Sequence, residues 1–324
     1  MRNKVSFGNL SVTSSSLELL DYADVVVRAV LENQEPRKTS RNRYYFLDVD
    51  LDYLVKADPT SLSLYGRFVN DTILEREQVL IDGKLIAQPE KMKTAPSAFF
   101  IFNLLDHRLT YMPETSGAPR LSTLGNTMEF FIKRKHDQIL RERHKETGRT
   151  LTNLRQDFPL PAVHLTPIVS RLALDDFVKK FSKITSISIK VIKRNQDLSP
   201  GELFFELADE VGELEPTSSR LEIQGGKDGL NIIKAQEFIG DVAEHGYEDA
   251  RLVGLDRNGA KISGSNEDFS LSVVTDAGPE EARGRAEHLY AQYLELKRNR
   301  QITIQRDDAK EDIERLKEIH KKHG

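Results

Sequence analysis

The stretch 96-PSAFFIFNLLDHRLTYMPE-114 decides the fold, because it contains two strand patterns and the turn between them. Its first half is a nearly unbroken apolar run, which is typical of a buried strand. Asp106 and His107 then favour a tight turn, and residues 108–112 predict a returning strand. The sequence therefore predicts an antiparallel, meandering sheet for the first half of the chain.

A second hairpin is predicted just before this stretch, at 78-QVLIDGKLIAQ-88. Asp82 and Gly83 separate two apolar runs, and this dipeptide favours a type I′ turn because both of its residues can adopt positive φ. Weaker alternation predicts strands at residues 3–12 and 62–75. Apolar residues at helical spacing predict a helix within residues 15–33.

The second half alternates strand and helix patterns. Three prolines in residues 156–167 predict a linker, so we place a domain boundary there. The expected class is α+β, with an N-terminal, mostly antiparallel domain and a C-terminal strand–helix domain. The predicted units are residues 1–156, residues 160–300 and a charged terminal helix at 301–324. Within the second unit, the predicted helices span 173–183, 199–213, 231–246 and 279–300.

Composition excludes several classes of site. The 324 residues include no cysteine, which excludes disulfides, thiolate zinc sites and thiol nucleophiles. The net charge is −4, so a nucleic-acid site would have to be a local basic patch. No apolar run is long enough for a signal peptide or a membrane span. We expect a cytoplasmic protein without membrane insertion, and no phosphate-loop or dinucleotide motif indicates a cofactor.

The stretch 46-FLDVDLDYLV-55 raises the question of an active site. Asp48, Asp50 and Asp52 would share one face of a strand, and neighbouring carboxylates can hold Mg²⁺ or Mn²⁺ in a nuclease or nucleotidyl-transfer enzyme. A half-buried strand with a solvated face explains the same pattern without any chemistry, and we favour that interpretation. The apolar row predicted for the opposite face is Leu47, Val49, Leu51, Tyr53 and Val55.

A basic segment is the feature to which we give most weight. The predicted helix over residues 121–155 carries eight cations and three acids between positions 133 and 155. Clustered cations on a helix suit a phosphate backbone, although a solvated face is the commoner origin of such a run. Cations near 190–194 and 297–300 could join this cluster. The candidate nucleic-acid-binding residues are Lys133, Arg134, Lys135, Arg141, Arg143, Lys145 and Arg149, with Arg155 beside them.

The segment 96–132, with its proline–serine–aromatic strand, turn, returning strand, Gly/Pro loop and helix, resembles the phage-exclusion family typified by Rex A of phage lambda. Uncharacterised families of prophages and defence islands share this pattern. The resemblance implies a dimeric, DNA-binding, non-enzymatic protein of antiviral defence. It assigns no individual site residue, because no motif of this sequence matches one.

Three functions follow as hypotheses. The first is a defence protein that binds nucleic acid, preferably DNA, through the basic helix and acts by oligomerisation or through partners. The second is the metal-dependent enzyme at Asp48, Asp50 and Asp52. The third is a protein–protein assembly module, a dimer or a complex with another protein, joined by the charged helix at 307–324. His320 and His323 near the chain end could bind metal weakly.

Overall fold

The computed structural model describes residues 2–14, 17–33, 35–192, 218–243, 248–302, 304 and 309–324. These residues form thirteen strands and seven α-helices. The strands are β1 Arg2–Thr13, β2 Arg37–Lys38, β3 Arg43–Tyr53, β4 Leu62–Ile81, β5 Lys84–Thr94, β6 Ser97–Asn103, β7 Arg108–Pro113, β8 Ala162–Pro167, β9 Lys183–Ile192, β10 Ser218–Gln224, β11 Glu248–Leu255, β12 Lys261–Ser265 and β13 Ser272–Asp276. The helices are α1 Ala23–Leu31, α2 Leu121–Thr147, α3 Leu151–Asp157, α4 Arg171–Val178, α5 Ile232–Ala243, α6 Ala282–Arg298 and α7 Lys310–His323.

A large antiparallel sheet organises the molecule. Its strand order is β13-β1-β7-β6-β4-β3-β2, with β8 paired to β1 and β5 paired to β4. The meander predicted from the opening stretch is confirmed, since β6 pairs with β7 through a turn where His107 has φ of 55°. The Asp82-Gly83 hairpin is also confirmed, with φ of 48° and 75° at these residues.

Both faces of the centre of this sheet are buried, which explains the unbroken apolar run of β6. Phe100 and Phe102 pack into a core with α1 and α2, whereas Phe99 and Ile101 pack into a second core with α6. Alternate side chains of a strand point to opposite faces, so a strand covered on both sides needs apolar residues at every position.

A second, four-stranded antiparallel sheet has the order β10-β9-β11-β12. Helices α4 and α5 pack on one of its faces through Leu174, Phe177 and Ile239. The predicted helix at 199–213 lies outside the described residues. The class predicted from the sequence, α+β, is correct.

The large sheet draws strands from both halves of the chain. The predicted linker contains β8, and both β8 and β13 pair with β1. The predicted boundary near residues 156–160 therefore does not separate the two sheets. Periodicity could not reveal this, because a strand's partner is set by pairing over long sequence distances.

The charged terminal helix, α7, folds back onto the body of the protein. Leu316 is fully buried in the core beside α1, and Ile313 and Ile319 pack around it. Leu316 is the one buried residue of this helix, which agrees with its charged sequence, and contact of its exposed face with a partner stays a prediction. Three apolar residues at helical spacing are enough to attach it.

Candidate nucleic-acid interface

Helix α2 carries most of the predicted nucleic-acid residues, and its two ends lie in different surroundings. Its first five turns pack on the large sheet through residues such as Leu124, Met128 and Ile132, all fully buried. From Arg141 onwards the helix extends past the core, and residues 143–149 are exposed. It ends at Gly148, whose φ of 69° is the left-handed conformation of a helix C-cap.

The cations in the middle of α2 are bonded to neighbouring carboxylates. Lys133 contacts Glu129 at 2.6 Å. Lys135 is only 7% exposed, and its ammonium group donates to Glu32 of α1 at 2.9 Å. Lys135 therefore helps to attach α1 to α2 and does not reach the surface, which sequence periodicity alone could not show.

Arg134 remains on the surface among aromatic rings. Its guanidinium carbon lies 5.6 Å from the ring centre of Phe130 and 4.9 Å from that of Phe131. A carboxylate oxygen of Glu35 lies 3.9 Å away, at the limit of an ion pair. Phe130 is itself 41% exposed, so an exposed cation and an exposed ring lie side by side.

The exposed end of α2 holds two cations without a carboxylate partner. Arg141 and Arg155 share Asp137, at 2.8 and 3.4 Å. Arg143 lies 5.2 Å from the ring centre of Phe158. In the part of the chain that the structure describes, neither Arg143 nor Lys145 lies within ion-pair distance of a carboxylate. Arg149, at the turn between α2 and α3, is bonded to Asp157.

The structure adds a basic group that the sequence prediction left out. Residues 36–43, which form β2 and the turn into β3, contain four cations and no acid. Arg37 donates to Thr127 of α2 at 3.0 Å, which brings this hairpin against the helix. We name Lys38, Arg41 and Arg43 the hairpin cations; all three are exposed.

Among the described residues no carboxylate lies within ion-pair distance of the hairpin cations, although Asp71 lies opposite Arg43 in the register of β3 and β4 and Glu75 is within electrostatic reach of Arg41. The signal for this group was a run of cations without acids, and it could have been read from the sequence. What the sequence could not give is its position beside α2.

Of the other cations considered from the sequence, Lys190 lies near α2, since it and Lys133 are both within electrostatic reach of His164, whereas Lys297 lies elsewhere. Lys297 donates to Asp106 at 2.8 Å, on the face of the large sheet that α6 covers and not the face that α2 covers. Residues 193–194 lie outside the described part of the chain. The excess of positive charge predicted over residues 133–155 is thus reduced by acids of other elements, mainly Glu32, Glu35 and Asp157.

The three aspartates of β3 make separate contacts with protein groups. Asp48 is bonded to Arg67, Asp50 accepts a hydrogen bond of 3.0 Å from the Tyr65 hydroxyl, and Asp52 is bonded to Arg283. Burial on its own would raise the pKa of Asp52, but the hydrogen bonds from Arg283 and the Tyr53 backbone amide, together with the charges of Arg283 and His320, outweigh burial and lower the pKa.

The regular alternation expected for β3 does not hold. The register with β4 shifts between Leu47 and Asp50, so the strand contains a bulge. Tyr44 and Phe46 are buried before the bulge, Leu51 is buried after it, and Leu47 is 48% exposed. The predicted single apolar row is therefore wrong at Leu47, because the bulge changes which side chains face the core.

Metal ligands do not cluster within the described residues, where no group of three or more histidine and carboxylate side chains comes together. Mg²⁺ needs such oxygen ligands. The metal-dependent alternative at Asp48 and Asp50 stays a prediction without added geometric support.

The two histidines near the chain end both contact aspartates. His320 lies 3.4 Å from Asp52, and its ring centre lies 4.7 Å from that of Tyr53. His323 lies 2.7 Å from Asp24. Burial would raise the pKa of Asp24, but its hydrogen bonds with His323 and Lys322 lower it. These contacts attach α7 to α1 and β3.

A comparison with known proteins finds no matching family model and no matching curated protein. In the described part of the chain, no helix combines the length and the apolar character that crossing a bilayer requires. The two surface groups of cations on and beside α2 are thus the basis for a functional assignment.

Proposed function

We propose that this protein binds nucleic acid through phosphate contacts made by the hairpin cations and by the exposed end of α2, and that it catalyses no reaction there. The observation that carries the proposal is the presence of five exposed cations, Lys38, Arg41, Arg43, Arg143 and Lys145, that lack an ion-pair partner among the described residues. A protein of net charge −4 that exposes such cations on one helix and its neighbouring hairpin has a local site for an anion.

The spacing of the two groups suits an extended polyanion. Thr127, which holds the hairpin, and Arg143 are separated by sixteen residues of α2, or about 24 Å of helix axis. About seven phosphates of one B-form strand span that length. Arg134 with Phe130 lies between the groups and could stack on a base or a sugar. Contacts of this kind position a duplex without reading its sequence.

The test is fluorescence-anisotropy binding to duplex and single-stranded DNA and RNA over a series of salt concentrations. In the wild-type protein, affinity should fall steeply with salt, because phosphate contacts release counterions. Replacing Lys38, Arg41 and Arg43 by alanine should reduce the slope of log K against log salt by about 3, and replacing Arg143 and Lys145 by about 2.

The matched control replaces Lys179 and Lys234 by alanine. Both are exposed lysines on the helices of the second sheet, and each is bonded to an acid of its own helix region, Asp176 and Glu237. This variant should keep the wild-type slope. An unchanged slope in both cation variants would exclude this surface. Cleavage of the strands only with Mg²⁺ would instead favour the enzyme at Asp48, Asp50 and Asp52.

Antiviral defence is the setting that we propose for this binding, from the resemblance of residues 96–132 to phage-exclusion proteins. In that setting the cation variants, but not the lysine control, should lose protection in a plaque assay. Equal protection by all three variants would separate defence from nucleic-acid binding.

A further inference from the structure

A long β-ribbon projects from the large sheet. The first part of β4 pairs with β3 and β6, but from Thr72 to Ile81 its only strand partner among the described residues is β5. We name residues Thr72–Thr94 the arm. Within the described structure no other element covers it, and nearly all of its side chains are exposed.

The arm exposes an unusual amount of apolar surface. Seven of the thirteen exposed large apolar side chains in the described residues belong to it. Leu80 and Leu85 at its tip are 70% and 72% exposed. Concentrated apolar exposure of this kind marks an interaction surface. The seven are Ile73, Leu74, Leu80, Ile81, Leu85, Ile86 and Met92.

Apolar pairs occur on both faces of the arm. Leu80 lies opposite Leu85, and the adjacent pair, Val79 with Ile86, points to the other face. A two-stranded ribbon in water is marginally stable alone and can bury neither face by itself. A partner that covered only one face would leave the other in water.

The charges of the arm balance, and two ion pairs join its strands. Glu75 pairs with Lys91 at 2.7 Å across the strands, and Arg76 pairs with Glu90. A net charge of zero gives no attraction to a polyanion, which sets the arm apart from the cations of α2. The arm holds four cations, Arg76, Lys84, Lys91 and Lys93, and four acids, Glu75, Glu77, Asp82 and Glu90.

The area of the arm matches what a dimer needs. Residues 72–81 extend about 34 Å and two strands are about 10 Å wide, so the two faces of one arm offer about 700 Å². Two arms that met by one face each would bury only about 700 Å². If each arm lay with one face on the partner's arm and the other on the partner's body, about 1,400 Å² of arm surface would be buried, within the range of about 1,200–2,000 Å² for specific interfaces. An isologous contact also requires a surface compatible with itself, and a neutral apolar arm meets that requirement.

We propose that two copies of this chain associate through their arms, each arm being covered by the partner copy. The arm begins beside the hairpin cations, since Arg43 lies opposite Asp71 and Glu75 is within electrostatic reach of Arg41. The two proposals nevertheless rest on different side chains, the apolar residues of the arm and the cations beside it, so either can fail alone. The terminal helix α7 is not required for the contact between arms, because its apolar residues already pack against the body of the same chain.

Sedimentation velocity over a range of concentrations tests the proposal. The wild-type protein should be a dimer. The double variant Leu80→Asn and Leu85→Asn should raise the Kd of the dimer more than about 100-fold, because four leucines per dimer lose their burial. These side chains are exposed in the single chain, so the variant should keep the wild-type circular dichroism. The control Leu172→Asn changes a side chain on α4 that is 77% exposed and should leave the dimer intact.

Disulfide trapping gives a second readout, because the chain has no cysteine of its own. Single cysteines placed in turn at the exposed apolar positions of the arm should include one, at the two-fold axis, that cross-links into a covalent dimer on mild oxidation, and Leu172→Cys should not cross-link. A monomeric wild-type protein would overturn the proposal, whether it stays alone in solution or binds phospholipid vesicles through the arm. A dimer that survives the Leu80/Leu85 changes would overturn it equally.

Discussion

Asp48 has a φ of 51°, a conformation that aspartate tolerates better than most residues. It occupies the bulge of β3, and Gly66 lies across from it on β4. A Cβ at Gly66 would lie 2.6 Å from Cγ1 of Val49. These two residues, one tolerant of positive φ and one without a side chain, therefore allow the bulge that redirects the carboxylates of β3.

His136 shows a different effect at the same scale. Its ring is 1% exposed, stacks on Phe158 at 5.0 Å between ring centres, and has Nε2 3.0 Å from the Phe158 carbonyl oxygen. Burial lowers the pKa of His136 below its ordinary value of 6.5. The folded protein therefore binds this proton less readily than the unfolded chain does.

We predict that His136 makes the fold sensitive to acid. Since the unfolded chain takes up the proton first, the free energy of unfolding should fall as pH drops below about 6.5. His136→Gln should cost about 1–3 kcal/mol at pH 7.5 through the lost ring packing and hydrogen bond. At pH 5.5 this difference from wild type should shrink. Urea unfolding at both pH values measures it, and an equal difference at both would contradict the assignment.

At the scale of elements, α2 depends on a close approach to β8. A Cβ at Gly125 would lie 2.8 Å from Cβ of Leu165. That atom is attached directly to the backbone of β8, so it cannot move aside as the end of a flexible side chain could. The contact positions α2 on the sheet and thereby fixes where its cations lie.

We expect Gly125→Ala to destabilise the protein by about 1–3 kcal/mol, because overpacking outweighs the better helix propensity of alanine. Gly240→Ala, in α5, is the matched control. Among the described residues, a Cβ there would meet Cδ2 of Leu174 in α4 at 3.9 Å, which is an ordinary van der Waals contact. That change should be neutral or stabilising by up to about 1 kcal/mol. Thermal or urea unfolding of both variants gives the comparison, and a stabilising Gly125→Ala would show that β8 can move away.

At the scale of the whole molecule, β1 joins distant parts of the chain. It pairs with β7, with β8 and with β13, so residues 272–276 complete a sheet that begins at residue 2. Helices α1, α2 and α7 cover one face and α6 covers the other. The chain ends are thus held by the same sheet that carries the hairpin cations and the arm.

We predict that Leu316→Ala lowers the free energy of unfolding by about 2–5 kcal/mol, the usual cost of a cavity at a fully buried leucine. The dimer should persist in sedimentation experiments, because this residue packs within its own chain. Loss of the dimer with unchanged unfolding would indicate instead that α7 joins two copies. Leu172→Ala, at an exposed site, is the control for both measurements.

The sequence by itself determined the α+β class, the two hairpins at Asp82-Gly83 and Asp106-His107, and the basic character of α2, because these depend on local periodicity, turn chemistry and composition. Only the tertiary structure decided that β8 and β13 complete the large sheet, that Lys135 is buried against Glu32, and that residues 36–43 lie beside α2. Those outcomes depend on pairing and packing between residues far apart in the chain, which no local pattern records.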